Sequence, residues 1–527
     1  MASHANQNAP RQGFLHGAFI LTVGAMLAKI VGALFKIPLT RLIGTEGAGH
    51  FNAAYNIYIV LLNVSSTGLP LAVSRLISEA DALKQTDAIQ CIRRVSLRLF
   101  LLIGGVCSIG MFFGAGLLAN WIRDPEAVYA IRVLAPAVLF VCISSSFRGY
   151  FQGQQYMTPT AAAQVLEALS KLILGLGAVL AARSLGWNIP RIAGAAITGV
   201  TLGAGLGSAY FYLEYRKMPR IGIARTEPAV MAATAWKILR LAVPITIGAT
   251  GLQIFNAIGS GVILGRLQDA LGYDLPQASS LYGIYTMAQT LYLLPSALIQ
   301  PLAVSMIPAV TQSLTLADST DAKKKEESAL RITALLALPA GAGLAVLAAP
   351  IQRLLYAYDE ETIAIAGPTL AILGIASVGY CLILVTNAIL QAHEKASCAV
   401  CSTVIGGVAN LLVTAWLVSD PKIHILGAAL GTAVYCAVTL GCNMLFIRIL
   451  IGEPPRLLAQ AVKPAVASAV MAFLTGILFD WTNSTAMAIA AAVLVYMILV
   501  VALKMLTRED CMMLPKGQLI AKLLRIK

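Results

Sequence analysis

Residues 159–182 read PTAAAQVLEALSKLILGLGAVLAA, an apolar run that carries only two charged side chains, Glu167 and Lys171. A helix of about 20 apolar residues crosses the roughly 30 Å hydrocarbon core of a bilayer. Similar runs fill most of the 527-residue chain, in which 58% of residues are hydrophobic and 12% are charged. Because a soluble domain carries about 25% charged residues, the sequence predicts an all-α polytopic membrane protein.

The apolar runs also predict the number and direction of the spans. If the N-terminus is cytoplasmic, the cytoplasmic segments hold 27 of the 38 Lys and Arg residues, and the external segments hold eight. This asymmetry predicts a multi-pass protein of the bacterial cytoplasmic membrane with both termini inside, and it accounts for the net charge of +14 without nucleic acid. We predict fourteen spans: 14–41, 50–74, 97–121, 128–150, 159–182, 192–215, 237–266, 280–311, 329–350, 363–391, 397–418, 425–449, 462–480 and 485–506.

Two sequence matches point to an internal repeat. The pentapeptide PLAVS occurs at 70–74 and at 301–305. A looser match aligns Gln152 with Gln391 and Lys171 with Asn410. The order and the similar offsets predict two related bundles, as transporters often have. We expect lobes at 1–215 and 237–449, each of six helices, a cytoplasmic linker at 216–236, and two appended helices with a basic tail at 450–527.

Basic side chains interrupt the first span. Lys29 and Lys36 are seven residues apart, so they lie about 20° apart on one helical face, with Gly32 between them. Charged groups in a membrane usually face a cavity or a partner. This face could be the cationic wall of a cavity for phosphate or carboxylate. The alternative is that Lys36 snorkels to the interface and Lys29 pairs with an acidic residue.

Polar and helix-bending residues occur in spans 2 and 8. Their amides could line a substrate cavity, or they could form hydrogen bonds between packed helices. Glycine and proline nearby would let these helices bend or hinge. The candidate substrate-binding residues are Lys29, Lys36, Asn52, Asn56, Asn63, Gln289 and Gln300, and the candidate hinges are Gly68, Pro70, Pro295 and Pro301.

Span 5 places Glu167 four residues before Lys171, the favourable order for a helical ion pair. Mutual neutralisation within the span is one interpretation. Coupling of proton or substrate movement to Glu167 is the other.

Catalytic motifs are missing from the sequence. There is no phosphate-binding loop for ATP and no H-E-x-x-H metal helix. The acidic stretch at 359–361 is the nearest candidate for paired catalytic carboxylates, and it fits the start of a solvated helix. We therefore predict a protein that is not an enzyme and has no metal or cofactor, driven by membrane potential or by a gradient of H⁺ or Na⁺.

Four stretches of the chain resemble one known family. They are SSSFRGYFQGQQYMTPTAAAQVLE at 144–167, RLIGTEGAGHFNAAY at 41–55, LPLAVSRLISEA at 69–80, and LYGIYTMAQTLYLLPSALIQPLAVSMIPAV at 281–310. They resemble the stage V sporulation protein B family, which groups with MurJ-type lipid II flippases in the multidrug/oligosaccharidyl-lipid/polysaccharide exporter superfamily.

The resemblance implies a two-lobe exporter with arginines in its cavity. Here Lys29 matches the first basic position, Phe35 and Lys36 fall at the next, and Asn63 replaces the span 2 arginine. The cation complement of the predicted cavity is therefore thinner than the family pattern.

The sequence thus predicts a flippase that moves an undecaprenyl-diphosphate-linked sugar, a lipid II-like oligosaccharide precursor, to the outer leaflet by alternating access. Cell-wall synthesis proteins are its expected partners. The alternatives are an exporter of polysaccharide repeat units or of drugs and cations, and a membrane enzyme that polymerises lipid-linked sugars.

Overall fold

The structure, a computed structural model, describes residues 14–63, 65, 68–218, 227–452, 457–503 and 505. Every regular element in these ranges is helical, which confirms the predicted all-α class. A short 3₁₀ helix, Pro125–Ala127, precedes α5. The α-helices are α1 (Phe14–Asn63), α2 (Leu69–Ala82), α3 (Thr86–Phe113), α4 (Ala115–Trp121), α5 (Val128–Gly153), α6 (Thr158–Ser184), α7 (Ile189–Lys217), α8 (Pro228–Asp269), α9 (Leu275–Tyr292), α10 (Leu294–Thr315), α11 (Ser319–Val346), α12 (Ala348–Tyr356), α13 (Glu360–Ala392), α14 (Ala396–Leu417), α15 (Leu426–Leu450), α16 (Leu457–Thr482) and α17 (Thr485–Ala502).

The first helix folds back on itself at Gly44. The backbone there has φ 71° and ψ −175°, a conformation that glycine adopts without a steric penalty. Lys36 Nζ donates a hydrogen bond of 3.2 Å to Asn52 Oδ1, although residues 16 positions apart on a straight helix would be about 24 Å apart. We call 14–43 the first arm of α1 and 45–63 its second arm.

Twelve of the described helices are long and apolar enough to cross a membrane. One of them is α1, whose two arms correspond to the predicted spans 1 and 2, so the twelve account for thirteen of the fourteen predicted spans. The remaining span, 237–266, lies within α8, part of whose side chains fall outside the described residues. The chain is a multi-pass membrane protein.

Several predicted spans are broken where the sequence analysis drew one helix. Span 8 is divided between α9 and α10, and Pro295 lies in the first turn of α10. Span 2 is divided between α1, which ends at Asn63, and α2, which begins at Leu69 and has Pro70 in its first turn; residues 64, 66 and 67 lie outside the described residues. Proline lacks the backbone N–H that a helix interior needs, but it fits the first turn, so it starts a new helix at both breaks. Spans 3 and 9 likewise end early, because α3 gives way to α4 at Gly114 and α11 gives way to α12 at Leu347.

The chain divides into two compact units, Met1–Gly283 and Ile284–Lys527, which we call unit 1 and unit 2. Unit 1 has an apolar core drawn mainly from α2, α3 and α5. Unit 2 has one core around α10, α11 and α13 and a smaller one around α16 and α17. The predicted linker at 216–236 lies inside unit 1, and the lobe boundaries stay a prediction.

Corresponding helices of the two units share details beyond the sequence matches. Pro136 in α5 and Pro368 in α13 each lie eight residues after the first residue of their helix. Gln152 and Gln391, which the sequence match aligns, are each the penultimate residue of those helices. The following pairs, α6 with α7 and α14 with α15, are both tightly packed hairpins. These correspondences support the internal repeat.

Candidate functional site

A cavity of about 280 Å³ lies within unit 1, between the two arms of α1 and the helices α6 and α7. We call it the chamber. Several polar and ionisable side chains line the chamber, although the helices that carry them are otherwise apolar. Because such groups are costly inside a membrane and are usually retained for function, the chamber is the candidate site. Its polar lining residues are Tyr55, Tyr58, Gln164, Glu167 and Lys171.

The ammonium of Lys171 is held by aromatic rings from α1. Its Nζ donates a hydrogen bond of 3.2 Å to Tyr55 Oη and lies 4.3 Å from the centre of the Tyr55 ring. The centres of the Phe35 and Phe51 rings are 5.1 Å and 6.0 Å away. A cation over an aromatic face gains about 0.5–2 kcal/mol, more where water is excluded. The rings thus hold the positive charge of Lys171 at the chamber wall.

Among the described residues, Glu167 and Lys171 do not form the ion pair that was one of their two interpretations, and the roles of both residues stay predictions. Within the described part of the chain, the Lys171 ammonium bonds Tyr55 and no ion pair joins it to Glu167. The physical reason is that the lysine side chain is long enough to reach the α1 rings across the helix interface. Glu167 also lines the chamber, and its carboxylate has room because α7 presents glycine: a Cβ at Gly207 would lie 2.5 Å from Glu167 Oε1.

Three polar residues of the chamber were not predicted from the sequence. Gln164 precedes Glu167 by three residues and Lys171 by seven, so the three form one polar stripe on α6. That stripe was a readable signal. The Oε1 atom of Gln164 is buried and has no hydrogen-bond partner among the described residues. Tyr55 and Tyr58 gave no such signal, because aromatic residues are common in apolar spans.

The predicted basic face of span 1 is only partly at the chamber. Gly32 lines the chamber, and a Cβ there would meet nothing within 4 Å, so the space beside this residue is empty. Lys36 is half-buried and bonds Asn52 instead. Lys29 is exposed on the first arm and is not one of the lining residues. The roles of both lysines in binding stay predictions.

The asparagines of the second arm bond within unit 1 rather than lining the chamber. Asn52 is buried and donates to the Ala48 carbonyl at 2.7 Å. Asn56 donates to Tyr282 Oη on α9 at 2.8 Å. The amide of Asn63 donates to the carbonyl oxygen one turn earlier, at Ile59, at 2.9 Å. The Asn56 bond matches the alternative in which amides join packed helices, whereas Asn52 and Asn63 donate to carbonyls one turn earlier in their own helix.

The two predicted glutamines belong to unit 2. Gln289 donates to Tyr285 Oη at 2.7 Å, and that hydroxyl lies 2.8 Å from the Thr432 hydroxyl on α15. Gln300 is exposed on α10. The structure therefore does not bring either glutamine to the chamber.

The predicted hinge residues lie at helix junctions and within α10. Gly68 precedes α2, where a Cβ would collide with the Ala242 carbonyl oxygen and the Thr246 hydroxyl of α8. This glycine is thus required for close packing. Pro70 and Pro295 begin α2 and α10, whereas Pro301 lies inside α10. Movement at any of these residues stays a prediction.

The family of the chain follows from its sequence profile. The profile of the polysaccharide biosynthesis protein family matches residues 14–314, more than half of the chain. The chain belongs to that family. The matched region includes both arms of α1 together with α6 and α7, so the whole chamber lies in the part of the chain that the family profile matches.

Individual relatives align with most of the chain. It is 26% identical over 476 residues to "Lipid II flippase MurJ" of Bacillus subtilis strain 168, an alignment that covers 87% of each chain. It is 25% identical over 525 residues to "Stage V sporulation protein B" of the same organism, covering 96% of this chain and 98% of that protein.

Solved structures of two exporter types share the fold. A lipid II flippase MurJ in an inward closed conformation superimposes with a TM-score of 0.71 at 17% identity, covering 92% of this chain and 98% of the other. An inward-facing MATE family multidrug transporter of the MOP superfamily gives a TM-score of 0.67 at 14% identity, covering 85% and 98%. At these identities the likeness concerns the fold alone.

Proposed function

We propose that this protein is a flippase that moves an undecaprenyl-diphosphate-linked cell-wall sugar precursor, a lipid II-like substrate, from the cytoplasmic to the outer leaflet by alternating access. Family membership and the names of the two full-length relatives support the class of substrate. The observation that carries the proposal is the ammonium of Lys171, held at the wall of a polar chamber inside a bundle of apolar helices.

The chamber offers the chemistry that such a head group needs. A diphosphate carries anionic oxygens, and an ammonium forms short charge-assisted hydrogen bonds with them. Lys171 would supply that charge, while Tyr58 and Gln164 would bond sugar hydroxyls from the same wall. Lys36 and Lys29, on the first arm of α1, would add positive potential along the path of the anion. The positive charge would offset the cost of moving an anion through hydrocarbon.

Net movement of the substrate would be driven by a source of energy other than ATP hydrolysis by this chain. The sequence lacks a phosphate-binding loop, so we propose coupling to membrane potential or to an H⁺ or Na⁺ gradient. Glu167 would be the coupling group because it lines the chamber and is not paired with Lys171.

Reconstitution tests the proposal directly. Proteoliposomes that contain the wild-type protein and labelled lipid II should expose label on the outside faster than protein-free vesicles. Lys171→Met should slow this appearance at least tenfold, or about 1.4 kcal/mol of barrier. Lys29→Ala and Lys36→Ala, in the same assay, would test the first-arm lysines.

The matched control is Lys217→Met, because Lys217 is exposed at the end of α7 and pairs with Glu214 at 2.6 Å. It should leave the rate unchanged. If wild-type protein exposes no label, the substrate assignment is wrong. If Lys171→Met and the wild type are equally fast, the assignment of the chamber is wrong.

The carboxylate of Glu167 favours a second candidate, an exporter of drugs or cations, because an acidic group in a chamber attracts cationic solutes. The same vesicles loaded with a cationic dye separate the two functions. Dye export that Glu167→Gln abolishes, together with no movement of lipid II, would establish the second candidate in place of the first.

A lipid-sugar polymerase has less support, since its nearest candidate carboxylates have structural roles. Asp359 caps α13 by accepting a hydrogen bond of 3.0 Å from the Thr362 N–H. Glu360 pairs with Arg353 at 2.7 Å.

A further inference from the structure

An acidic cluster around one buried histidine lies in unit 1, apart from the chamber residues. Glu46 and His50 are one turn apart on the second arm of α1, just after the reversal at Gly44. Asp124 and Glu126 come from the connection between α4 and α5. His50 Nδ1 is 2.7 Å from Asp124 Oδ2, and both side chains are almost fully buried. The cluster joins the turn of α1 to the start of α5.

The hydrogen bond to Asp124 determines how the His50 ring presents its other nitrogen. A carboxylate can only accept, so Nδ1 is the donor. The Nε2 atom is buried and has no hydrogen-bond partner among the described residues. It faces Glu126 Oε2 at 3.7 Å and Glu46 Oε1 at 3.9 Å, distances too long for hydrogen bonds. In the neutral ring, Nε2 therefore directs a lone pair toward two carboxylate oxygens.

This arrangement fits a cation between the three atoms. The ligand atoms of Glu46, His50 and Glu126 lie within 4.8 Å of one another, the only such group in the described ranges. Tetrahedral ligands that each bind zinc at about 2.0–2.2 Å are about 3.4 Å apart, and His50 Nε2 lies near this spacing, at 3.7 Å and 3.9 Å from the two carboxylate oxygens. Metal-binding histidines typically donate their other N–H to a carboxylate, as His50 does to Asp124.

The negative charge of the cluster also favours a bound cation. The cluster contains three carboxylates and a single imidazole, and Asp124 is fully buried. Carboxylates this close repel one another, and a divalent cation between them offsets that repulsion. One imidazole nitrogen with a few carboxylate oxygens suits zinc-class ions, whereas Ca²⁺ takes six to eight oxygen ligands.

We propose that Glu46, His50 and Glu126 bind a divalent metal ion of the zinc class, with Asp124 orienting the imidazole. The fourth position is left for water. The ion would link the second arm of α1 to the connection between α4 and α5, and would thereby stabilise the packing of α1 against the start of α5.

The test uses the full chain in detergent micelles, stripped of metal with a chelator and titrated with Zn²⁺. Calorimetry should show one equivalent bound, and the melting temperature should rise as the site fills. Glu126→Gln should weaken Zn²⁺ binding at least tenfold. Glu126 is about half exposed, so this substitution spares the core, whereas His50→Gln could prevent folding. Asp124→Asn should weaken binding by about 10–100-fold.

The matched control is His393→Gln in unit 2. His393 Nε2 bonds Glu326 Oε1 at 2.8 Å, and it forms no cluster of three ligands in the described ranges. It should leave Zn²⁺ binding unchanged. Equal binding by Glu126→Gln and the wild type would overturn the proposal, as would wild-type protein that binds no Zn²⁺. Stabilisation by Mg²⁺ as strong as that by Zn²⁺ would overturn the assignment of the metal class.

Discussion

The α6–α7 hairpin of unit 1 and the α14–α15 hairpin of unit 2 pack in the same way but line up different chemistry. Gly199 approaches the Lys171 carbonyl oxygen, where a Cβ would lie 3.0 Å from it, and Gly431 approaches the Asn410 carbonyl oxygen, where the distance would be 3.2 Å. Lys171 and Asn410 are the pair that the sequence match aligns. The backbone packing has therefore been kept while the side chain has changed from a cation to an amide.

The glycine has also changed helices between the two hairpins. In unit 1, Glu167 is on α6 and faces Gly207 on α7, whereas in unit 2 Gly406 is on α14 and faces Thr439 on α15. Glycine on α7 leaves space for an ionisable side chain on α6. On α14, Gly406 stands where α6 has Glu167, so no ionisable side chain is present at that position. The comparison teaches that one packing scheme can carry a polar chamber in one repeat without imposing it on the other.

The largest expected effect breaks the shared packing. Gly199→Leu would place its side chain against the backbone of Gly175, so α6 and α7 must separate. Overpacking of this kind should lower the free energy of unfolding by about 3 kcal/mol, measured as a fall in melting temperature. Gly431→Leu should cost a similar amount. Gly177→Ala is the control, because a Cβ there meets nothing within 4 Å. Wild-type melting of Gly199→Leu would contradict the close packing.

An intermediate effect should come from giving unit 2 the cation of unit 1. At Asn410, the side-chain oxygen accepts a 2.9 Å hydrogen bond from the Thr414 hydroxyl, and a lysine cannot accept it. Asn410→Lys should therefore destabilise the protein by about 2–3 kcal/mol, the cost of a charge at the centre of a span. Lys171→Met should cost only about 1 kcal/mol, the value of the lost cation–π contacts. Thermal melts of both variants compare the two losses of stability. A larger loss for Lys171→Met than for Asn410→Lys would contradict the assignment of the aromatic rings as the main contacts of Lys171.

The smallest effect concerns the helices that precede the two hairpins. α13 begins with the Asp359 cap, whereas α5 begins at Ala127 without a side-chain cap. Hydrogen bonds from Thr362 hold the pKa of Asp359 below its usual range. A lowered pKa stabilises the fold above the unfolded-state value of about 3.9, and the gain is lost as pH falls through the folded value.

Asp359→Ala should therefore lower the melting temperature slightly at pH 7, and the difference from the wild type should shrink below about pH 4. Glu361→Ala, at an exposed neighbour without a capping bond, is the control. A difference that stays constant across this pH range would show that the cap does not depend on ionisation.

Much of the fold was predictable because hydrophobicity alone defines membrane spans, and each of the fourteen predicted runs overlaps a described helix. Helix breaks were missed where proline starts a helix inside an apolar run, as at Pro295. Glu167 and Lys171 could be identified as candidates because ionisable groups inside a membrane are costly and usually functional. Their partners were not predictable, since the rings around Lys171 come from a helix more than a hundred residues away. The stripe of asparagines could not reveal whether an amide faces water or a neighbouring carbonyl.

The reversal at Gly44 has a consequence for biogenesis. The two arms of α1, residues 14–63, already contain two walls of the future chamber and are synthesised before α6 and α7. During that interval Lys36 can be bonded by Asn52 of the same hairpin, so its entry into the bilayer does not depend on a later segment. The ring of Tyr55 is likewise in position before Lys171 is synthesised. Membrane insertion can thus proceed in chain order, because Lys36 finds its partner within the first hairpin and Lys171 meets a ring that is already made.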